Sequence, residues 1–225
     1  MENIFFRTIK LFIGLFLVSL GGVLMINANV GMVSWDVLHS GVSKVSGVSI
    51  GQAIILVNII MTIIGVILKE KIGIGTLCNI IFIGVFVDFI KNINIVPMNN
   101  NFIIGFFMMN LGMIIMALGT VMYISCELGC GAKDSVTMGL TKLLNRPVKV
   151  IRSTLELIAI VVGIILGGSF GILTIYGAFV FGYFMQITFK ILGCNIGELK
   201  HLSIKDMLNM RRYKNELEVD YKEVV

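Results

Sequence analysis

Six stretches of the chain are apolar over about twenty residues each, and this spacing constrains the fold more than any motif does. A bilayer core of roughly 30 Å takes about 20 apolar residues per helix. The stretches run near 11–28, 50–68, 72–90, 102–125, 150–166 and 171–192, separated by charged or Gly/Asn-rich segments. The ten-residue alternation of an outer-membrane barrel is absent. Charge closes the alternative, because only 14% of the chain is Asp, Glu, Lys or Arg, against about 25% in an ordinary soluble domain. A soluble enzyme, a secreted disulfide scaffold and a disordered regulator are all excluded on that ground. The expected fold class is an all-α membrane protein with six transmembrane helices.

Orientation follows from the basic residues, which collect in cytoplasmic loops. Taking the N-terminus, the second and fourth loops and the C-terminal tail as one side places sixteen of the 18 Lys and Arg there. Lys44 and Lys91 alone fall on the other side. Both termini are therefore expected in the cytoplasm. The net charge of +5 is then a consequence of topology, and no aromatic-interleaved basic patch points to nucleic acid. Arg7 and Lys10 precede the first apolar run as in a signal peptide, but Ile26 stands two positions before Ala28 and makes a poor cleavage site. The run is expected to be a retained first span.

The chain also repeats itself at a shift of 98 residues. Gly14 aligns with Gly112, Gly21 with Gly119, Gly31 with Gly129, Asp36 with Asp134, Gly41 with Gly139 and Lys44 with Lys142. Further along, Gly65 meets Gly163, Gly73 meets Gly171, Thr76 meets Thr174 and Gly84 meets Gly182. Three spans per repeat is an odd number, so the second copy enters the membrane from the opposite side. Two inverted three-helix repeats are expected, residues 1–92 and 102–192, related by an in-plane pseudo-two-fold axis as in many secondary transporters. Residues 193–225 form a polar cytoplasmic tail, with a short surface helix expected around Ile204–Arg211.

The segment Gly-x-x-x-Trp35-Asp36-Val-Leu, the following Gly-x-Ser-Lys and the Gly73-Ile-Gly-Thr76 that opens the third span resemble the YczE/YyaS/YitT group of bacterial membrane proteins. The likeness covers about residues 10–190 and leaves out the tail. It implies a multi-pass protein of the bacterial inner membrane, and it supplies no established catalytic or binding residues.

Candidate sites come from the repeat. Asp36 and Asp134 each open a short amphipathic segment, 36–47 and 134–145, expected to lie in the interface or dip into the membrane. Each carboxylate either caps its helix by accepting from free N–H groups, or lies inside the bilayer and meets a substrate or ion. Asn58 and Glu156 form the second equivalent pair. Asn58 lies near the centre of its span, and an in-plane two-fold conserves depth only at the midplane, so Glu156 is expected there too. An intramembrane ionisable group is a functional candidate by default, although Arg152, four residues earlier, also offers an intrahelical ion pair. Asp88 and Gln186 correspond as well, but fall near span ends.

Gly14 and Gly21, Gly112 and Gly119, and the Gly163/Gly167 pair are read as helix-packing positions, since small residues let backbones approach in lipid. Cys78, Cys126, Cys130 and Cys194 fall on the reducing side as free thiols. With His39 and His201 on opposite sides, no metal site, cofactor or catalytic cluster is expected, and no enzyme activity. The leading expectation is a small transporter or substrate-binding membrane protein handling a small molecule or ion. The alternatives are a scaffold for a cytoplasmic or membrane protein partner, and the substrate-binding subunit of a vitamin importer.

Overall fold

A chain in hydrocarbon must pair its backbone N–H and C=O groups within each segment, so the apolar runs become helices. The computed structural model describes residues 4–193, and among them eight helices follow one another with no strand. They are α1 (Ile4–Ala28), α2 (Ser34–Ser46), α3 (Ile50–Ile67), α4 (Ile74–Asn92), α5 (Phe102–Ile124), α6 (Ala132–Leu144), α7 (Val148–Ile165) and α8 (Ile172–Ile191). The expected tail helix, Cys194 and His201 lie outside the described residues. Helices α1, α3, α4, α5 and α8 are long and apolar enough to cross a membrane. The sixth expected span corresponds to α7, which has 18 residues but is set apart from the other five by three charged side chains, Lys149, Arg152 and Glu156.

Helices α1 and α5 form the central pair. A Cβ on Gly14 would stand 2.8 Å from the carbonyl oxygen of Gly119, and one on Gly21 only 2.5 Å from that of Gly112. The later glycine of one helix meets the earlier glycine of the other, so the two run antiparallel. Around this contact Leu11, Leu15 and Val18 pack with Tyr123 and Leu128, while Met25 packs with Met109 and Met113. Helix α4 lies beside α1, with Phe12 edge-on to Phe82 at 4.8 Å and Ser19 Oγ donating to the Ile83 carbonyl at 3.1 Å. Helix α8 lies beside α5, where the Tyr176 hydroxyl donates to Asn110 Oδ1 at 2.8 Å.

The short helices pack across the halves, α2 on α7 and α6 on α3. Gly41 faces the Gly163 carbonyl, Gly163 faces the backbone of Val37 and Leu38, and Gly139 faces Leu68. Gly167 takes no part in that contact: it is left-handed (φ +76°) just past the end of α7, with no neighbour within 4 Å of a Cβ there.

Helix α2 begins at Ser34 and α6 at Ala132, two residues before Asp36 and Asp134. The N-cap positions are Val33 and Gly131, without any side-chain cap, so the capping role expected of the two aspartates is corrected. Both sit in the first turn instead, where a carboxylate faces the positive end of the helix dipole. The cause lies far along the chain. Thr174 Oγ1 accepts from the Met32 N–H at 3.1 Å, and Leu173 N–H donates to the Val30 carbonyl at 3.2 Å. Thr76 Oγ1 likewise donates to the Cys130 carbonyl at 2.6 Å, and Gly75 N–H to that of Leu128 at 2.8 Å. These ties hold the segments leading into α2 and α6, and the backbone reaches them through Gly31 (φ +146°) and Gly129 (φ +142°), a conformation L side chains rarely adopt.

Candidate functional site

The N-terminal ends of α2 and α6 approach each other inside the bundle. Lys133 Nζ lies 5.1 Å from the centroid of the Trp35 ring, within cation–π range. The two residues occupy corresponding positions in the repeat. Asp36 and Asp134 adjoin these two residues in the chain, and Lys133 lies in the field of both carboxylates and of the half-buried Glu156 and exposed Arg152 on α7.

Asp36 and Glu156 find partners on their own helices, and Asp134 finds one on α5. Asp36 is 8% exposed. Its Oδ1 lies 3.3 Å from His39 Nδ1, one turn along α2, while Asp36 Oδ2 and His39 Nε2 are buried without a hydrogen-bond partner. Asp134 Oδ2 accepts from the Tyr123 hydroxyl of α5 at 3.3 Å. On α7, Arg152 Nε donates to Glu156 Oε1 at 3.4 Å, so the intrahelical pair forms as the spacing allows. It does not use up either group. Arg152 acts on Asp134 and Tyr123 as well, and Glu156 acts on Lys133. Two cations and three carboxylates thus lie around the N-terminal ends of α2 and α6, near enough to act on one another's charge. Ionised groups withdrawn from water are costly, and opposite charges near one another offset that cost.

The structure therefore brings three of the four expected polar residues together and places the fourth, Asn58, on α3. Asn58 is 2% exposed and its Oδ1 makes no hydrogen bond. The sequence pattern marks none of Lys133, Tyr123, Trp35 and His39 as a site residue, although Trp35 stands in the motif shared with the YczE/YyaS group. Lys133 pairs with Trp35 under the 98-residue shift, and a comparison that looks for like residues passes over such a pair.

Beside this site, in the turn before α6, burial together with the carboxylates of Asp134 and Glu70 pushes the Cys130 thiol up to about 12. Glu70 itself accepts from Lys142 Nζ at 2.6 Å. Among the described residues no three His, Cys, Asp or Glu side chains gather as a metal site. At the far end of the first half, Asp88 accepts from the Gly51 N–H at 2.9 Å and from the Ser49 hydroxyl, holding the start of α3 against α4.

Long apolar helices with a small ionisable cluster between them define a multi-pass α-helical membrane protein. The chain belongs to the family of unknown function DUF6198, whose model matches residues 5–191. An uncharacterised protein of Haemophilus influenzae is 28% identical over 198 residues, covering 88% of each chain. The uncharacterised membrane protein YczE of Bacillus subtilis is 28% identical over 179 residues, 79% of this chain and 82% of its own. YyaS of the same organism is 26% identical over 188 residues, 80% of this chain and 90% of its own. The expected kinship with the YczE/YyaS group holds. No solved structure gives a significant match.

Proposed function

We propose that the protein is a small transporter, or a substrate-binding membrane protein, whose site is the charged cluster at the meeting of α2 and α6. The observation that carries this is the meeting of α2 and α6, with Lys133 over Trp35, buried Asp36 left with an unpaired carboxylate oxygen and Asp134 beside them, near the Arg152–Glu156 pair, in a chain that has few charges to place there. Buried charge of this kind in a membrane protein marks substrate or ion pathways. The architecture in this reading is two inverted repeats of three spans, with α7 as the sixth span and its Arg152 and Glu156 on the side of the site. The antiparallel α1/α5 pair and the reciprocal packing of α2 on α7 and α6 on α3 support it. Both termini lie in the cytoplasm of a bacterial inner-membrane protein, as the Lys and Arg distribution favours, and the kinship extends to the YitT proteins. The substrate is small and charged or strongly polar, and it is moved or bound without chemical change.

A thermal-shift screen of small charged metabolites, run on the purified protein in mild detergent, tests this. A ligand that raises the melting temperature of the wild type is expected to lose its effect in Glu156→Gln, which keeps the side-chain shape and removes the charge. An undiminished ligand response in Glu156→Gln, Asp36→Asn, Asp134→Asn and Asn58→Ala would overturn the assignment.

A further inference from the structure

In which helix packs on which, the two halves match except in one place. In the first half α3 packs along α4: the backbones of Gly51 and Gly84 touch, Asp88 holds the Gly51 N–H and the Ser49 hydroxyl, and Ile54 is only 4% exposed. The residues equivalent to Ser49, Gly51, Ile54, Gly84 and Asp88 are Pro147, Lys149, Arg152, Gly182 and Gln186. There α7 does not pack along α8. A Cβ on Gly182 would meet nothing within 4 Å, Lys149 and Gln186 are exposed, and the Arg152 side chain is 50% exposed although it acts on buried Tyr123 and on Asp134. The far end of α7 remains packed, with Gly163 against the backbone of α2. So α7 is held by α2 at its C-terminal end and left unpacked on α8, with the exposed Arg152 beside the open face at Gly182 and reaching toward the charged cluster.

We propose that the N-terminal half of α7 is the gate to this site, open here, and that the Asp88 clasp on α3 is the closed gate of the opposite side. This rests on the transporter reading above. Arg146, Lys149 and Lys190 flank the gap, so the site opens to the cytoplasm. Exchanging the conformations of two inverted halves gives the same fold open to the other side, at similar cost because the contacts are of the same kind. In that state α7 closes on α8, bringing position 149 to position 182 as Gly51 meets Gly84 here, while α3 leaves α4. The sequence also accounts for the resting state. Lys149 replaces the glycine that allows backbone contact, Pro147 lacks the hydroxyl of Ser49, and Gln186 lacks the charge of Asp88, so the clasp on α7 is the weaker one.

The test is oxidative cross-linking in proteoliposomes, in a background with all four natural cysteines replaced. The pair Lys149→Cys/Gly182→Cys is oxidised with copper phenanthroline, and the intramolecular disulfide is read by mass spectrometry. Slow formation is expected with Asp88 intact. Replacing Asp88 with Asn weakens a charge-assisted clasp, which should speed cross-linking about tenfold. Ser49→Ala gives a second, milder release should Asp88→Asn fold poorly. Equal rates with and without the clasp, or no disulfide although both cysteines react with maleimide, would overturn the gate. The readout is helix geometry alone, so a fixed α7 overturns the gate and leaves the binding site standing, while failure of the site itself is read separately in the ligand response of Glu156→Gln.

Discussion

Replacing Gly21 with Ala sets two effects of opposite sign against each other. Intrinsic helix propensity favours Ala over Gly by about 1 kcal/mol, which alone would stabilise α1. The α1/α5 contact opposes it. A Cβ at position 21 stands 2.5 Å from the Gly112 carbonyl oxygen, 2.7 Å from the Met116 backbone nitrogen and 2.8 Å from Met116 Cβ. A comfortable C···O approach is about 3.3 Å, so the helices must part by roughly 0.8 Å at this level. The obstacle is mostly backbone and cannot rotate aside. Overpacking of this kind costs about 1–3 kcal/mol, so the net effect is a loss of up to about 2 kcal/mol, or some 4–8 °C in melting temperature for a chain of this size. Gly182→Ala is the control: nothing lies within 4 Å of its Cβ, and propensity acts alone. Heating the purified variants in mild detergent and following the monodisperse fraction should show Gly21→Ala melting below the wild type and Gly182→Ala at or above it. If both variants gain stability alike, α1 and α5 do not approach at this glycine and the account of the central pair is wrong.

Three further expectations follow from the same geometry. Lys133→Met leaves Asp36, Asp134 and Glu156 facing one another with Arg152 as the remaining cation, and should cost about 1–3 kcal/mol once discounted for the partial exposure of Lys133; Lys133→Arg should recover most of it, read by the same melting assay. Thr174→Val strands the N–H groups of Met32 and Gly171, both bonded to Thr174 Oγ1, at about 1–3 kcal/mol, whereas Thr174→Ser is expected to be nearly silent. The Cys130 thiol, pushed up to about 12, should resist maleimide at pH 7.5 in a single-cysteine variant and react at the ordinary rate once unfolded. Because its folded value lies above the unfolded one, its linkage effect on stability is full below about pH 9 and falls as pH rises from 9 toward 12. A Cys130→Ser variant should lose that alkaline slope in denaturation followed across pH.

Much of the fold was legible because its causes are local or repeated. The apolar runs carry their own helical fate in a bilayer, and the repeated glycines at 14, 21, 112 and 119 marked the face on which α1 and α5 meet. The start of α2 was misplaced because the ties that set it come from Leu173 and Thr174, more than 140 residues away. Asp36 reads as a cap in isolation, yet the chain entering α2 is pinned by α8 and leaves Val33 in the capping position. The site was half visible. Asp36, Asp134 and Glu156 stand out as polar residues at repeated positions, but Lys133 falls among the loop charges that orient the chain. Its role appears only when α2 and α6 are brought end to end, which stacks it over Trp35. The α7/α8 gap is a difference in conformation between two segments of similar pattern, and a repeat alignment carries no signal for that.

The most direct test of the charged site is native mass spectrometry of the full chain released from mild detergent. The account predicts a bound small charged molecule on the wild type that is absent from Glu156→Gln, with both proteins equally folded by size exclusion. The same adduct on both proteins, or a stoichiometric protein subunit in place of any small molecule, would contradict it and move the function from the cluster at α2 and α6 to a protein interface.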